Sequence, residues 1–100
     1  MHRLRTEYSQ AVTLFSEALE ISINVGSIYL KAFSLLGLAD THRDQAHHDV
    51  AIHPYEQAAE AFQQIGHSDG EAFARERAAD ARRLLKLKEV AQRFTEENRD

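Results

Sequence analysis

Residues 55–74 read YEQAAEAFQQIGHSDGEAFA, two runs of good helix formers separated by a Gly-His-Ser-Asp-Gly break. Before the break, Tyr55, Ala58, Phe62 and Ile65 are spaced three, four and three residues apart, and Ala51 extends the rhythm upstream by four. Such steps line side chains along one face of an α-helix. After the break, Phe73, Ala74, Ala78, Ala81, Leu84, Leu85, Leu87, Ala91 and Phe94 follow with no glycine or proline beyond Gly70. One long helix is therefore predicted from about Asp69 to Glu96. Ser68 or Asp69 can cap its start, and Glu71 stands in the first turn, where the helix dipole favours negative charge.

Working outward, Leu4, Tyr8, Ala11, Phe15, Ala18, Ser22 and Val25 again alternate steps of four and three, with Ser22 the one polar member. A further helix is predicted around Ser27 to His42, carrying Ile28, Ala32, Phe33, Leu35, Leu36 and Ala39. Gly26, Gly37, Gly66, Gly70 and Pro54 are the whole set of breakers, and no strand pattern occurs. Pro54 falls inside the third helix, where it removes a backbone hydrogen bond and kinks the chain; otherwise regular helix begins nearer His53.

The pattern repeats. A shift of forty positions pairs His2 and Arg3 with His42 and Arg43, Ala11 with Ala51, Ala18 with Ala58, and Glu20 with Glu60. It also pairs Gly26 with Gly66, Ala32 and Phe33 with Ala72 and Phe73, and Ala39 and Asp40 with Ala79 and Asp80. Val12 with Ile52, Phe15 with Tyr55 and Val25 with Ile65 are conservative pairs in the same ungapped frame. A constant period of this length is the mark of a helical solenoid.

Ala11, Phe15 and Ala18, and again Ala51, Tyr55 and Ala58, have the spacing of the second helix of a tetratricopeptide repeat, and Phe33, Leu36 and Gly37 that of its first helix. The chain resembles that family in its long variant of about forty residues, with residues 55–74 especially similar. The resemblance covers a second helix, one complete repeat and a further first helix. It implies an all-α fold of antiparallel helix pairs stacked as a short right-handed solenoid, about four helices with a long C-terminal cap. Arg77 stands where a further repeat would place a small residue, which marks the last helix as that cap. The family's use is to hold a protein or peptide in a groove lined by first helices. Carried over by position, that groove takes Lys31, Ser34, Leu38, Thr41 and His42 from one helix and Glu71, Ala74, Ala78 and Arg82 from the next. The asparagines with which chaperone-tail-binding members clamp a terminal carboxylate are missing there. Lys31, His42 and Arg82 face only Glu71, so the groove is expected to be locally basic and to suit an acidic or phosphorylated peptide.

Composition bounds the rest. One hundred residues with 43% hydrophobic and 28% charged side chains form one small globular domain, residues 1–100, complete or a piece of a longer solenoid. Three or more repeats are usually needed for stability, so pairing through exposed end faces, as a structural homo-oligomer, is the alternative reading. The absence of cysteine removes disulfides and thiolate chemistry, and no long apolar run or signal-peptide region is present, so a cytoplasmic protein is expected. A net charge of −4 gives no general field for nucleic acid or an acidic membrane.

No nucleophile elbow or phosphate-cradling glycine loop occurs, so no catalytic residue, no cofactor and no enzyme activity are expected. His42, His47, His48 and His53, with Asp44 and Asp49, are read as polar residues around an inter-helix turn, with a metal-sensing bundle as the lesser alternative. Arg75, Arg77, Arg82, Arg83, Lys86, Lys88 and Arg93 are interleaved with acids, which points to ion pairs within the last helix rather than phosphate binding. Leu84, Leu87, Ala91 and Phe94 form a seam of under two heptads, expected to pack on the chain's own solenoid, with a coiled coil as the alternative.

Overall fold

The computed structural model describes the backbone of residues 2–98 and the side chains of residues 6–98, so Leu4 of the first seam lies outside the described side chains. Four helices follow one another, α1 (His2–Val25), α2 (Ile28–Asp44), α3 (His48–Gln64) and α4 (Ser68–Glu97). Each packs on the helix before and after it, α1 on α2, α2 on α3 and α3 on α4. Neighbours run antiparallel, because turns of two or three residues leave no other course.

The turns explain the period. At the end of α1 the Ser27 N–H donates to the Ser22 carbonyl at 2.9 Å; at the end of α2 the His47 N–H donates to His42 at 2.9 Å; at the end of α3 His67 donates to Phe62 at 2.9 Å. Each is the same six-residue closure, and each needs a left-handed residue just before the donor. Gly26 and Gly66 supply it at φ 71°, and Ala46 at φ 62°. The folded unit is thus one helix and turn of twenty residues, half the sequence period. The middle turn escapes a search for glycine because alanine occupies it. A left-handed alanine costs roughly 1 kcal/mol that glycine does not. Ala46→Gly should therefore raise the denaturation midpoint by up to about 1 kcal/mol of stability, and Gly66→Ala should lower it by a similar amount.

Helix starts follow the same step. Ser27 caps α2, its Oγ accepting from the Leu30 N–H at 3.1 Å, and His47 precedes α3 without a side-chain cap. The cap of α4 is His67, one residue ahead of the expected Ser68 or Asp69: its Nδ1 accepts from the Gly70 N–H at 2.8 Å. Histidine serves because Phe33 and Phe62, with ring centroids 5.9 and 5.1 Å away, hold the imidazole over the helix end. Pro54 lies within a continuous α3, so regular helix starts at His48 rather than near His53.

Tyr55 and Phe62 are the largest fully buried side chains and anchor two connected clusters. Phe62 packs with Ala32, Leu35, Ala58, Ala59, Ala61 and Ala74, while Tyr55 packs with Ala39, Ala51 and Ala78. Alanines on α2, α3 and α4 let the helix axes approach closely around the two rings. The α1 seam is shallower: Tyr8, Ala11, Phe15 and Ala18 are half-buried, Val25 is exposed, and Ser22 alone is buried.

The forty-residue frame also shows how the outer face of α4 differs from that of α2. Ala32 and Ala39 are fully buried, yet their counterparts Ala72 and Ala79 are exposed. Leu35 and Leu36 become Arg75 and Glu76, and a polar face replaces an apolar one. Arg77, the counterpart of Gly37, lays its guanidinium 4.8 Å from the Phe73 ring centre. The radius of gyration, 15.9 Å, exceeds the roughly 13 Å of a compact chain of this length. A single row of helices with an overhanging end has that shape.

Candidate partner-binding surface

The nine positions that the repeat pattern assigns to a groove divide by burial. On α2, Ser34, Leu38 and Thr41 are buried. The Ser34 hydroxyl donates to the Leu30 carbonyl at 2.7 Å and the Thr41 hydroxyl to the Gly37 carbonyl at 2.8 Å, so both are satisfied within their own helix. On α4, Ala74 belongs to the cluster around Phe62 and Ala78 to that around Tyr55. Four side chains remain accessible: Lys31 and Arg82 are exposed, and His42 and Glu71 are half-buried.

Their charges are largely spoken for. Glu71 pairs with Arg75 one turn later at 2.9 Å, and Arg82 pairs with Glu56 of α3. Burial, and then the nearby His47, hold the His42 imidazole below its ordinary pKa of 6.5, so it is neutral at pH 7. Of the three expected cations only Lys31 contributes an unmatched charge. The expected basic character thus falls to one lysine, and the electrostatic case for an acidic or phosphorylated ligand falls with it. The correction comes from Glu56, whose approach to Arg82 no local pattern signals.

The histidines gather at the α2–α3 turn. The Nδ1 atoms of His42 and His48 are buried without a hydrogen-bond partner among the described residues. His48 and Asp49 line a cleft of about 230 Å³ against Leu85, Lys88, Glu89 and Gln92 of α4. Among the described residues no three His, Asp or Glu side chains are grouped to hold a metal ion. Three of the seven basic residues named on α4 make contacts within the helix, Arg75 with Glu71, Arg83 with Asp80 and Arg77 with Phe73, while Arg82 reaches across to Glu56 of α3.

Sequence reasoning misplaced one surface. The seam of Leu84, Leu87, Ala91 and Phe94 was expected to lie on the solenoid, but all four are exposed, Phe94 by 67%. The bundle ends at Ala81 and Leu85, while α4 continues past it. A second uncovered strip runs along α1, where Leu14 and Ile21 are exposed.

Antiparallel helix pairs with small residues at their crossings are the architecture that the repeat spacing implied. The family model described as tetratricopeptide repeat matches residues 1–64. The chain belongs to the tetratricopeptide-repeat family. The matched residues end where α3 ends, so this tetratricopeptide-repeat protein carries α4 beyond the matched segment. Repeats of this family mediate protein–protein interaction. No curated protein and no solved structure matches the chain. Among the described residues no helix is long and apolar enough to cross a membrane.

Proposed function

We propose that this tetratricopeptide-repeat protein is a non-enzymatic adaptor that holds a partner protein or peptide along the side of α2 and α4 bearing Lys31, His42, Glu71 and Arg82. The observation that carries this reading is the division by burial. Ser34, Leu38, Thr41, Ala74 and Ala78 are taken up by the fold, while the longer polar side chains at both ends of the same stretches stay accessible. A filled floor with polar side chains at its margins suits an extended segment, held by hydrogen bonds and packing more than by net charge.

The test starts with a partner recovered on the parent chain and identified by mass spectrometry. Its purified form is then titrated against the Lys31→Glu, Arg82→Glu double variant. Binding is expected to weaken about tenfold or more, with stability shifted by under about 1 kcal/mol, because both side chains are exposed. Equal affinity for parent and variant would remove this face as the binding site.

A further inference from the structure

Among the described residues beyond Ala81, only Leu85 is even half-buried; one side of α4 still meets α3 at Arg82 and faces His48 and Asp49 across a cleft as far as Gln92, while the opposite side overhangs the bundle. That overhang is not uniformly polar. Leu84, Leu87, Val90 and Phe94 are exposed by 42, 58, 51 and 67%. With Ala91, they fall within an arc of about 120° on the helix wheel. Ala74, Ala78, Ala81 and Leu85, which face the bundle, centre about 145° away on the same wheel. The chain's own core therefore cannot cover the strip. Leu84, Leu87, Ala91 and Phe94 also alternate steps of three and four, the seam of a two-helix coiled coil.

We infer that the overhang of α4 pairs antiparallel with the same segment of a second copy of this chain. Three observations select that occupant. The first is register. When Leu84 meets Phe94 of the second copy, and Leu87 meets its Ala91, Glu97 comes level with its Ala81, the last fully buried residue of α4. The paired strip lies about 145° around α4 from the residues that face the bundle, so the second helix approaches from the open side and the two bodies do not collide.

The second observation is charge. In this register Arg83, which pairs with Asp80 of its own helix, also lies beside Glu97 of the second copy, and the symmetry makes that approach twice. Its one like-charge approach is Lys88 to its own copy. A parallel pairing would instead set Arg83 against Lys88 on both sides of the seam, with no compensating acid at the flanking positions. The third observation is the two-fold axis, which falls near Val90. An apolar residue at that flanking position is a liability in an isolated helix, and beside its own copy it extends the buried strip. The N-terminal half of α4 takes no part, since Arg75 and Glu76 make its outer face polar.

The mass is read by light scattering from about 10 μM to about 0.5 mM, a range that brackets modest dimer affinities. It should climb from 11.4 kDa toward twice that value with rising concentration. Leu87→Glu should hold the chain at the monomer mass throughout, with the same helical circular dichroism, because Leu87 is exposed and outside both core clusters. The chain has no cysteine, so orientation can be read by crosslinking. On oxidation, a mixture of Leu87→Cys and Ala91→Cys chains should give crosslinked pairs far more readily than either variant alone. A parent that stays monomeric at every concentration would overturn the inference. So would a dimer unaffected by Leu87→Glu, which would point to the apolar strip of α1. Efficient crosslinking of Ala91→Cys by itself would mean parallel helices and would refute the arrangement.

Discussion

Tyr55→Ala is expected to remove about 3–5 kcal/mol of folding stability, most of what a domain of this size has. The ring is fully buried between α2, α3 and α4, and the other buried members of its cluster are Ala39, Ala51 and Ala78, with the half-buried Leu36 packed against them. The alanines cannot collapse into the space it leaves, and Leu36 can fill only part of it. The hydroxyl adds a smaller part by donating to Asp40, which the forty-residue frame places on the preceding helix. Tyr55→Phe keeps the volume and should cost only about 1 kcal/mol.

Phe15, the counterpart of Tyr55 in the earlier repeat, is half-buried, and Phe15→Ala should cost distinctly less. Urea or guanidinium denaturation of the three variants orders them, and equal losses at Phe15 and Tyr55 would contradict the burial. The phenol also sets an alkaline limit. Burial first, and then the hydrogen bond to Asp40, push its pKa far above the ordinary 10.0. The folded state then holds the proton more tightly than the unfolded state. Stability from this group is intact below pH 10 and declines as pH rises further, a decline that Tyr55→Phe should reduce.

Gly70→Ala is expected to lower stability by about 1–3 kcal/mol, the opposite of the usual effect of replacing a helical glycine. In an open helix the change would gain up to about 1 kcal/mol. Here an added Cβ would stand 2.6 Å from Cδ1 of Phe62 and 2.7 Å from Nδ1 of His67. Phe62 is fully buried and cannot withdraw, and His67 is the cap of α4. Gly37 shows the same device more weakly. A Cβ there would overlap the Phe15 ring, but that ring is half-buried and has solvent to move toward, so Gly37→Ala should be milder. Adding Phe62→Leu to Gly70→Ala should cost less than the two single losses summed, because the smaller side chain makes room for the methyl. A Gly70→Ala variant that melts later than the parent would show that the contact is not confining.

These results mark where local pattern is sufficient. The rhythm from Ala51 to Ile65 specifies both the helix and its buried face, because a helix on which others pack from two sides must hide the residues at those spacings. All five are buried or half-buried. The same rhythm from Tyr8 to Val25 specifies a helix equally well but overstates its burial, since a period says which side is apolar and not whether anything covers it. Residues 84–94 fail for the same reason. Their spacing is sound, and the bundle simply ends before them.

For this protein the sequence by itself determined the four helices, the forty-residue frame, the repeat family and the aromatic anchors. These follow from spacing within a helix and from glycine at the left-handed turns, both of which are local. Only the tertiary structure decided which predicted groove residues are accessible and that Glu56, twenty-six positions away, answers Arg82. It likewise decided that Ala46 bends the middle turn, that His67 caps α4, and that the apolar strip from Leu84 to Phe94 stands uncovered. Each depends on what lies across a gap from the residue concerned, and the distance across a gap between helices is set by how whole helices stack rather than by the residues on either side in the chain.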